Sequence, residues 1–130
     1  MSSMKTIVVA AAIVERNGRY LLTRRLAGTH LEGYWEFPGG KCESDESCRA
    51  CVVREIREEL GVDAMAGEEI LTTTHEYGDR RVELHFLRCR LEGDPVPQLG
   101  QDIRWVARGE LHSVELPPAD AELVKILTAG

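Results

Sequence analysis

No apolar run in this 130-residue sequence reaches the length of a membrane-spanning helix, so no membrane partner is expected. The sequence also lacks an internal repeat, a low-complexity tract and any linker that would divide it, so residues 1–130 read as one domain. A basic excess is missing too: 22 Asp and Glu stand against 16 Lys and Arg, a formal net charge of −6. Tight binding to a nucleic-acid polymer needs an extended basic field, and that class of partner is excluded. The balance at first also disfavours a phosphate-bearing ligand, but a bound metal ion reverses the sign of a site locally. What is present is ordinary for a soluble globular protein, with 43% hydrophobic and 29% charged residues. A chain of this length buries roughly two-thirds of its unfolded surface and needs no disulfide or metal staple.

The four cysteines, Cys42, Cys48, Cys51 and Cys89, are therefore read as reduced thiols, in keeping with a cytoplasmic protein. Cys48 and Cys51 have CxxC spacing. A zinc site wants a second ligand pair at matching spacing, and His85 with Cys89 is a loose one. Lys5 followed by the apolar residues 7–14 imitates a short secretory signal. Glu15-Arg16-Asn17-Gly18 follows at once and residues 20–22 are apolar again, the pattern of two strands around a turn. Met4 is an alternative start to Met1.

Alternation and turn residues predict strands over residues 6–14 and 20–24. Residues 27–33 form a polar loop, and residues 34–37 a short extended run halted by Pro38-Gly39-Gly40. The clearest helix spans residues 47–60, where Val52, Val53, Ile56 and Leu60 recur at three and four residues as one apolar stripe. Ser44 and Asp45 are its candidate N-caps and Gly61 its stop. Strands over residues 70–77 and 81–90 flank a Gly78-Asp79 turn, and a strand over residues 103–107 carries Trp105. Pro117-Pro118 opens a last helix over residues 119–128, with Leu123, Ile126 and Leu127 facing inward. Strands before, between and after two helices predict an α/β fold, a mixed β-sheet sandwiched between helices.

The polar side of the first helix carries the chemistry. Glu55, Glu58 and Glu59 fall at i, i+3 and i+4 and project from one side within reach of a common point. Together they repel unless a cation sits among them, and hard oxygen ligands select Mg²⁺ or Mn²⁺. Arg54 is placed to steady a carboxylate. Most helical Glu runs are solvated faces; here the helix follows Phe37-Pro38-Gly39-Gly40, a turn that can aim a carbonyl at a cation.

Gly40, five residues, Glu46, seven residues, then Arg54-Glu55-Ile56-Arg57-Glu58-Glu59-Leu60-Gly61-Val62 fits the signature of the Nudix hydrolases without a gap. The chain resembles the MutT-like branch over nearly its whole length: Thr-Arg-Arg at residues 23–25, Trp-Glu-Phe-Pro-Gly-Gly-Lys at residues 35–41, and Pro-Pro-Ala-Asp at residues 117–120. It also looks like the CTP pyrophosphohydrolase relatives of that branch.

The resemblance implies the Nudix α/β/α fold and a Mg²⁺-dependent hydrolysis of a nucleoside triphosphate to monophosphate and pyrophosphate. It assigns Glu55, Glu58 and Glu59 as metal ligands, with one also the general base and the Gly39 carbonyl a further ligand. Glu58 and Glu59 are read as principal ligands and Glu55 as ligand or base. Glu46 and Arg54 pair to hold loop and helix, with Gly40 and Gly61 structural in the motif. Arg25, His30, Glu36, Phe37 and Arg80 match substrate contacts, and Asp120 stands where an Asn reads oxidised guanine. An ionised Asp offers only acceptors, which suits cytosine's amine or guanine's N1–H and N2 amine. The substrate expected is an oxidised nucleotide such as 8-oxo-dGTP, the alternative CTP, dCTP or a modified cytosine nucleotide. A non-catalytic nucleotide-binding module would show a degenerate motif, and a larger conjugate would need more chain. The resemblance also expects a loop Glu where Leu99 stands, leaving Gln98 or Asp102 to replace it. Monomer and homodimer both remain open.

Overall fold

β1 (Lys5–Ile13) divides the interior between two cores, because successive side chains of a strand point to opposite faces. Ala10 and Ala12 pack on one side against Cys51, Val52, Ile56 and Leu60 of α1 (Cys48–Leu60). Ala11 and Ile13 face the other way, toward Leu123, Val124 and Leu127 of α2 (Ala121–Thr128). The result is helix, sheet and helix in layers, seen in a computed structural model that describes residues 4–129. Met1, the start to which Met4 is the alternative, lies outside the described residues.

β1 runs parallel to β7 (Arg80–Leu91) at the centre of a mixed sheet. β5 (Gly39–Lys41) closes one edge and β6 (Ala64–Tyr77) the other, both antiparallel to their neighbours. A smaller antiparallel sheet holds β2 (Glu15–Arg16), β3 (Arg19–Arg24), β4 (Trp35–Glu36) and β8 (Ile103–Ala107), with β3 paired to each of the others. The α/β sandwich read from the sequence is present, its strands shared between two sheets.

Three local expectations need correction. The N-cap of α1 is Ser47, whose side chain accepts from Ala50 N–H at 3.1 Å; Ser44 and Asp45 lie upstream of it. Gly61 does stop the helix, in the left-handed conformation at φ 61° that a glycine adopts without strain. In α2 the inward residues are Leu123, Val124 and Leu127, and Ile126 is exposed, because the helix proper begins at Ala121 after a short 3₁₀ turn over Pro118–Asp120. β6 begins at Ala64, six residues before the predicted start at residue 70, and register shifts around Glu69 break the alternation that would have revealed it.

All four cysteines are free. Burial pushes the thiols of Cys42, Cys48 and Cys51 up, and Cys89 to about 11. His85 is not offered to Cys89: its two ring nitrogens lie 2.5 Å from Glu69 and 2.6 Å from Glu83. Among the described residues no helix is long and apolar enough to cross a membrane.

Candidate active site

The site begins where β5 turns into α1. β5 is drawn against β1 by pairing of Gly39 with Ala11 and by the bond from Ala12 N–H to the Pro38 carbonyl, 2.7 Å. Both glycines admit a close approach, Gly39 to backbone and Gly40 to a side chain. A Cβ on Gly39 would strike the Ala10 carbonyl, and one on Gly40 would strike the Glu55 carboxylate. The main chain of β5 therefore lies directly on the carboxylate row of α1.

Arg54 organises that row. Its Nε and Nη2 donate to the two oxygens of Glu46 at 2.7 and 2.8 Å, a bidentate pair. Nη2 also reaches the Lys41 carbonyl at 3.2 Å, and Nη1 reaches Glu58 at 3.1 Å and Glu55 at 3.5 Å. The Arg54 hydrogen bonds, with the Glu43 N–H, hold the Glu46 carboxyl down at about 2. Arg54 itself is pushed up, chiefly by its bonds to Glu46.

The three helix carboxylates part company here. Glu58 is exposed and leans on Arg54. Glu55 is part-buried, and burial raises its carboxyl although Arg54 works against that. Glu59 accepts from the Gly39 N–H at 3.2 Å. Burial, the neighbouring Glu55 and Glu36 push it up to about 8. Among the described residues no three His, Cys, Asp or Glu side chains are gathered at metal-holding spacing, but Glu55 interacts with Glu58, and Glu59 lies in the field of both. The donor set still fits a hard divalent cation. It is all oxygen, and Glu55 and Glu59 are crowded, part-buried carboxylates that cost free energy to ionise without one.

One cavity of about 760 Å³ adjoins this row. Arg25, His30, Glu36, Phe37, Arg80 and Asp120 all line it, with Gly39, Gly40 and Glu59 at its carboxylate end. Arg25 is braced, its Nη1 3.0 Å from Glu36 and its Nε 2.5 Å from the His30 carbonyl. Phe37 belongs to the core as well, edge-on to Phe86 at 6.5 Å. Among the polar lining residues, sequence reasoning missed Lys41 and Tyr77. Tyr77 is exposed at the cavity and stacked on His75. Apolar Ile7, Val9, Val82 and Leu84 line the cavity too, and the alternation of β1 and β7 was the signal that held them.

Asp120 is 7% exposed and caps no helix through its side chain. Burial, then the nearby Glu36, push its carboxyl up to about 7. Near neutrality it is thus partly a carboxylic acid with one donor and one acceptor, not the acceptor-only group expected from sequence.

Neither candidate for the loop ligand reaches the row. The Gln98 side chain donates to the Val96 carbonyl at 2.8 Å, and Asp102 lies 3.8 Å from Arg24. The loop residues that share a small cavity with Glu59 are Leu99 and Gln101.

A family model described as the NUDIX domain matches residues 9–125. Over 127 residues the chain is 40% identical to a CTP pyrophosphohydrolase of Escherichia coli (strain K12), covering 97% of this chain and 94% of that protein. Over 123 residues it is 34% identical to an 8-oxo-dGTP diphosphatase of the same strain, covering 93% and 95%. A solution structure of a MutT protein from methicillin-resistant Staphylococcus aureus superposes with a TM-score of 0.80 at 34% identity, over 96% of this chain and 97% of that one.

Gly40→Ala should leave the strand intact and displace Glu55. Mn²⁺ affinity, read by titration of the purified protein, is expected to weaken by about tenfold or more. Unchanged affinity would show that the close approach is not needed.

Proposed function

The chain belongs to the Nudix family, and from that premise we propose that it is a metal-dependent nucleoside triphosphate pyrophosphohydrolase. Triphosphate and water become monophosphate and pyrophosphate. The observation that carries this reading is the placement of Glu59 at one end of a cavity lined also by Asp120, Glu36, Arg25 and Arg80. A nucleotide spans such a site with phosphates toward the carboxylate row and base toward Asp120. Bound Mg²⁺, or Mn²⁺, neutralises phosphate charge and lowers the pKa of water.

The protein's own groups do the rest. Glu58 and Glu59 act as principal ligands, the Gly39 carbonyl as a further one, and Glu55 as ligand or general base. Arg54 holds Glu55 and Glu58 in range, steadied by Glu46. Arg25, fixed by Glu36, presents positive charge between the two cavities. Free thiols, two of the four buried, suit a reducing compartment, and we place the protein in the cytoplasm as one Nudix domain.

The substrate read first is an oxidised nucleotide such as 8-oxo-dGTP. A second reading, a cytosine nucleotide, is favoured by Asp120 and by the likeness to a relative named CTP pyrophosphohydrolase. Natural and oxidised nucleoside triphosphates, assayed with Mg²⁺ for pyrophosphate release, decide between them by kcat/KM. Glu58→Gln should lower kcat by about 10²–10⁴-fold while the fold survives. Wild-type hydrolysis by that variant, or no pyrophosphate from any triphosphate, would sink the reading.

Base choice should also depend on pH. Below about 7 Asp120 holds its proton and matches a donor–acceptor edge such as cytosine N4–H with N3; above it, the carboxylate matches the paired donors N1–H and N2–H of guanine. The dCTP-to-dGTP ratio of kcat/KM should therefore fall between pH 6 and 8 in the wild type, a window of about one unit on either side of the titration. It should stay flat in Asp120→Asn. The same slope in both proteins would rule Asp120 out as the reader.

A further inference from the structure

After β7 the chain crosses the C-terminal turn of α1 as a loop over residues 92–102 before entering β8. The last carbonyls of a helix have no partner inside it. Here the loop supplies partners. Val96 N–H donates to the Leu60 carbonyl at 2.8 Å, and Gln98 N–H donates to the Glu59 carbonyl at 2.9 Å. The Gln101 side chain adds a second donor, its Nε2 3.0 Å from that same Glu59 carbonyl. Both lone pairs of the Glu59 oxygen are thereby used.

The other end of the Gln101 amide is also engaged. Its Oε1 accepts from Leu99 N–H at 2.9 Å. Gln101 is 7% exposed, an uncharged amide buried where the chain has little other polar interior. The loop is anchored beyond it as well, since Arg24 N–H donates to the Asp102 carbonyl at 3.0 Å. The small cavity that Gln101 lines contains Glu59, Arg25 and Leu99. One side chain thus ties the main chain of Glu59 to the loop segment and, through Asp102, to the strand end that carries Arg25.

We propose that Gln101 is a positioning residue for Glu59. It fixes the peptide from which the Glu59 carboxylate projects toward Gly39, and with it the distance between that carboxylate and Arg25. The loop serves this site as a scaffold where the resemblance expects a carboxylate ligand. Without Gln101 the Glu59 carbonyl keeps the Gln98 N–H as its one donor, the helix's final turn is less firmly tied, and the direction of a side chain follows its Cα–Cβ vector. Losing the Gln101 bond therefore costs aim rather than charge. This inference rests on the metal-dependent reading of the site.

Gln101→Met keeps length and volume and removes both hydrogen bonds. The test is Mn²⁺ binding to the nucleotide-free protein, read by the paramagnetic resonance of free Mn²⁺, beside thermal melting of both proteins. A folded variant whose Kd for Mn²⁺ rises about tenfold supports the proposal, as expected for loss of a group that orients a ligand. A Kd within twofold of wild type overturns it, whatever the melting temperature does, because a purely structural role would move melting alone. If Gln101→Met does not fold, Gln101→Asn is judged by the same two readouts, since its shorter amide cannot span both partners. A wild-type protein that binds no Mn²⁺ removes the metal-dependent reading itself, and is thereby told apart from a failure of Gln101.

Discussion

Arg54 is the cation shared among the carboxylates of α1, and the layout of the site follows from how unequally it is shared. Glu46 takes the bidentate pair and is held as a firm anion. Glu58 takes a single arm and stays in solvent, while Glu55 receives a long contact. Glu59 lies beyond reach, with the Gly39 N–H as its partner. Burial without a counter-charge then raises Glu59 to about 8. The same arginine that stabilises the loop-to-helix junction leaves the inner carboxylates in need of a cation.

That need changes what the net charge of −6 means. Part of the acidic excess is concentrated on one face of α1, and a divalent cation there turns the face from a repeller of phosphate into an attractor. The fold holds the arrangement rigid. β1 is packed on both faces, so β5 cannot drift from it, and the glycines of β5 let the main chain lie on the carboxylates. Asp120 lines the same cavity among apolar strand residues, and Glu36, paired with Arg25, acts on both Asp120 and Glu59.

Much of this was legible in the sequence because it is local. The spacing from Gly40 to Val62 marked the helix, its stop at Gly61 and its acidic side. The residues expected to touch substrate, spread from Arg25 to Asp120, do line one cavity. What was not legible depends on tertiary surroundings. Ser44 and Asp45 are as good N-caps as Ser47 by residue type, and only the backbone path selects among them. The bulged start of β6 has no clean alternation to read. Asp120 carries no mark of burial in its neighbours, so its raised carboxyl could not be foreseen. Gln101 lies 42 residues from Glu59, and no spacing rule connects them. Glu58 shares Arg54 Nη1 with Glu55, a contact predictable at i+4, while the depth at which Glu59 sits depends on its tertiary surroundings.

The most direct test of the central claim is a count of protons. Calorimetric titration with Mn²⁺ at pH 7, in two buffers of different ionisation enthalpy, gives the number released on binding. A Glu59 held up at about 8 is mostly protonated at that pH and must lose its proton to bind a metal ion. The expected result is release of about one proton, fading as pH passes above about 9, one unit beyond the titration point. Tight Mn²⁺ binding with no proton released at pH 7 would contradict it, because Glu59 would then be ionised before any cation arrived.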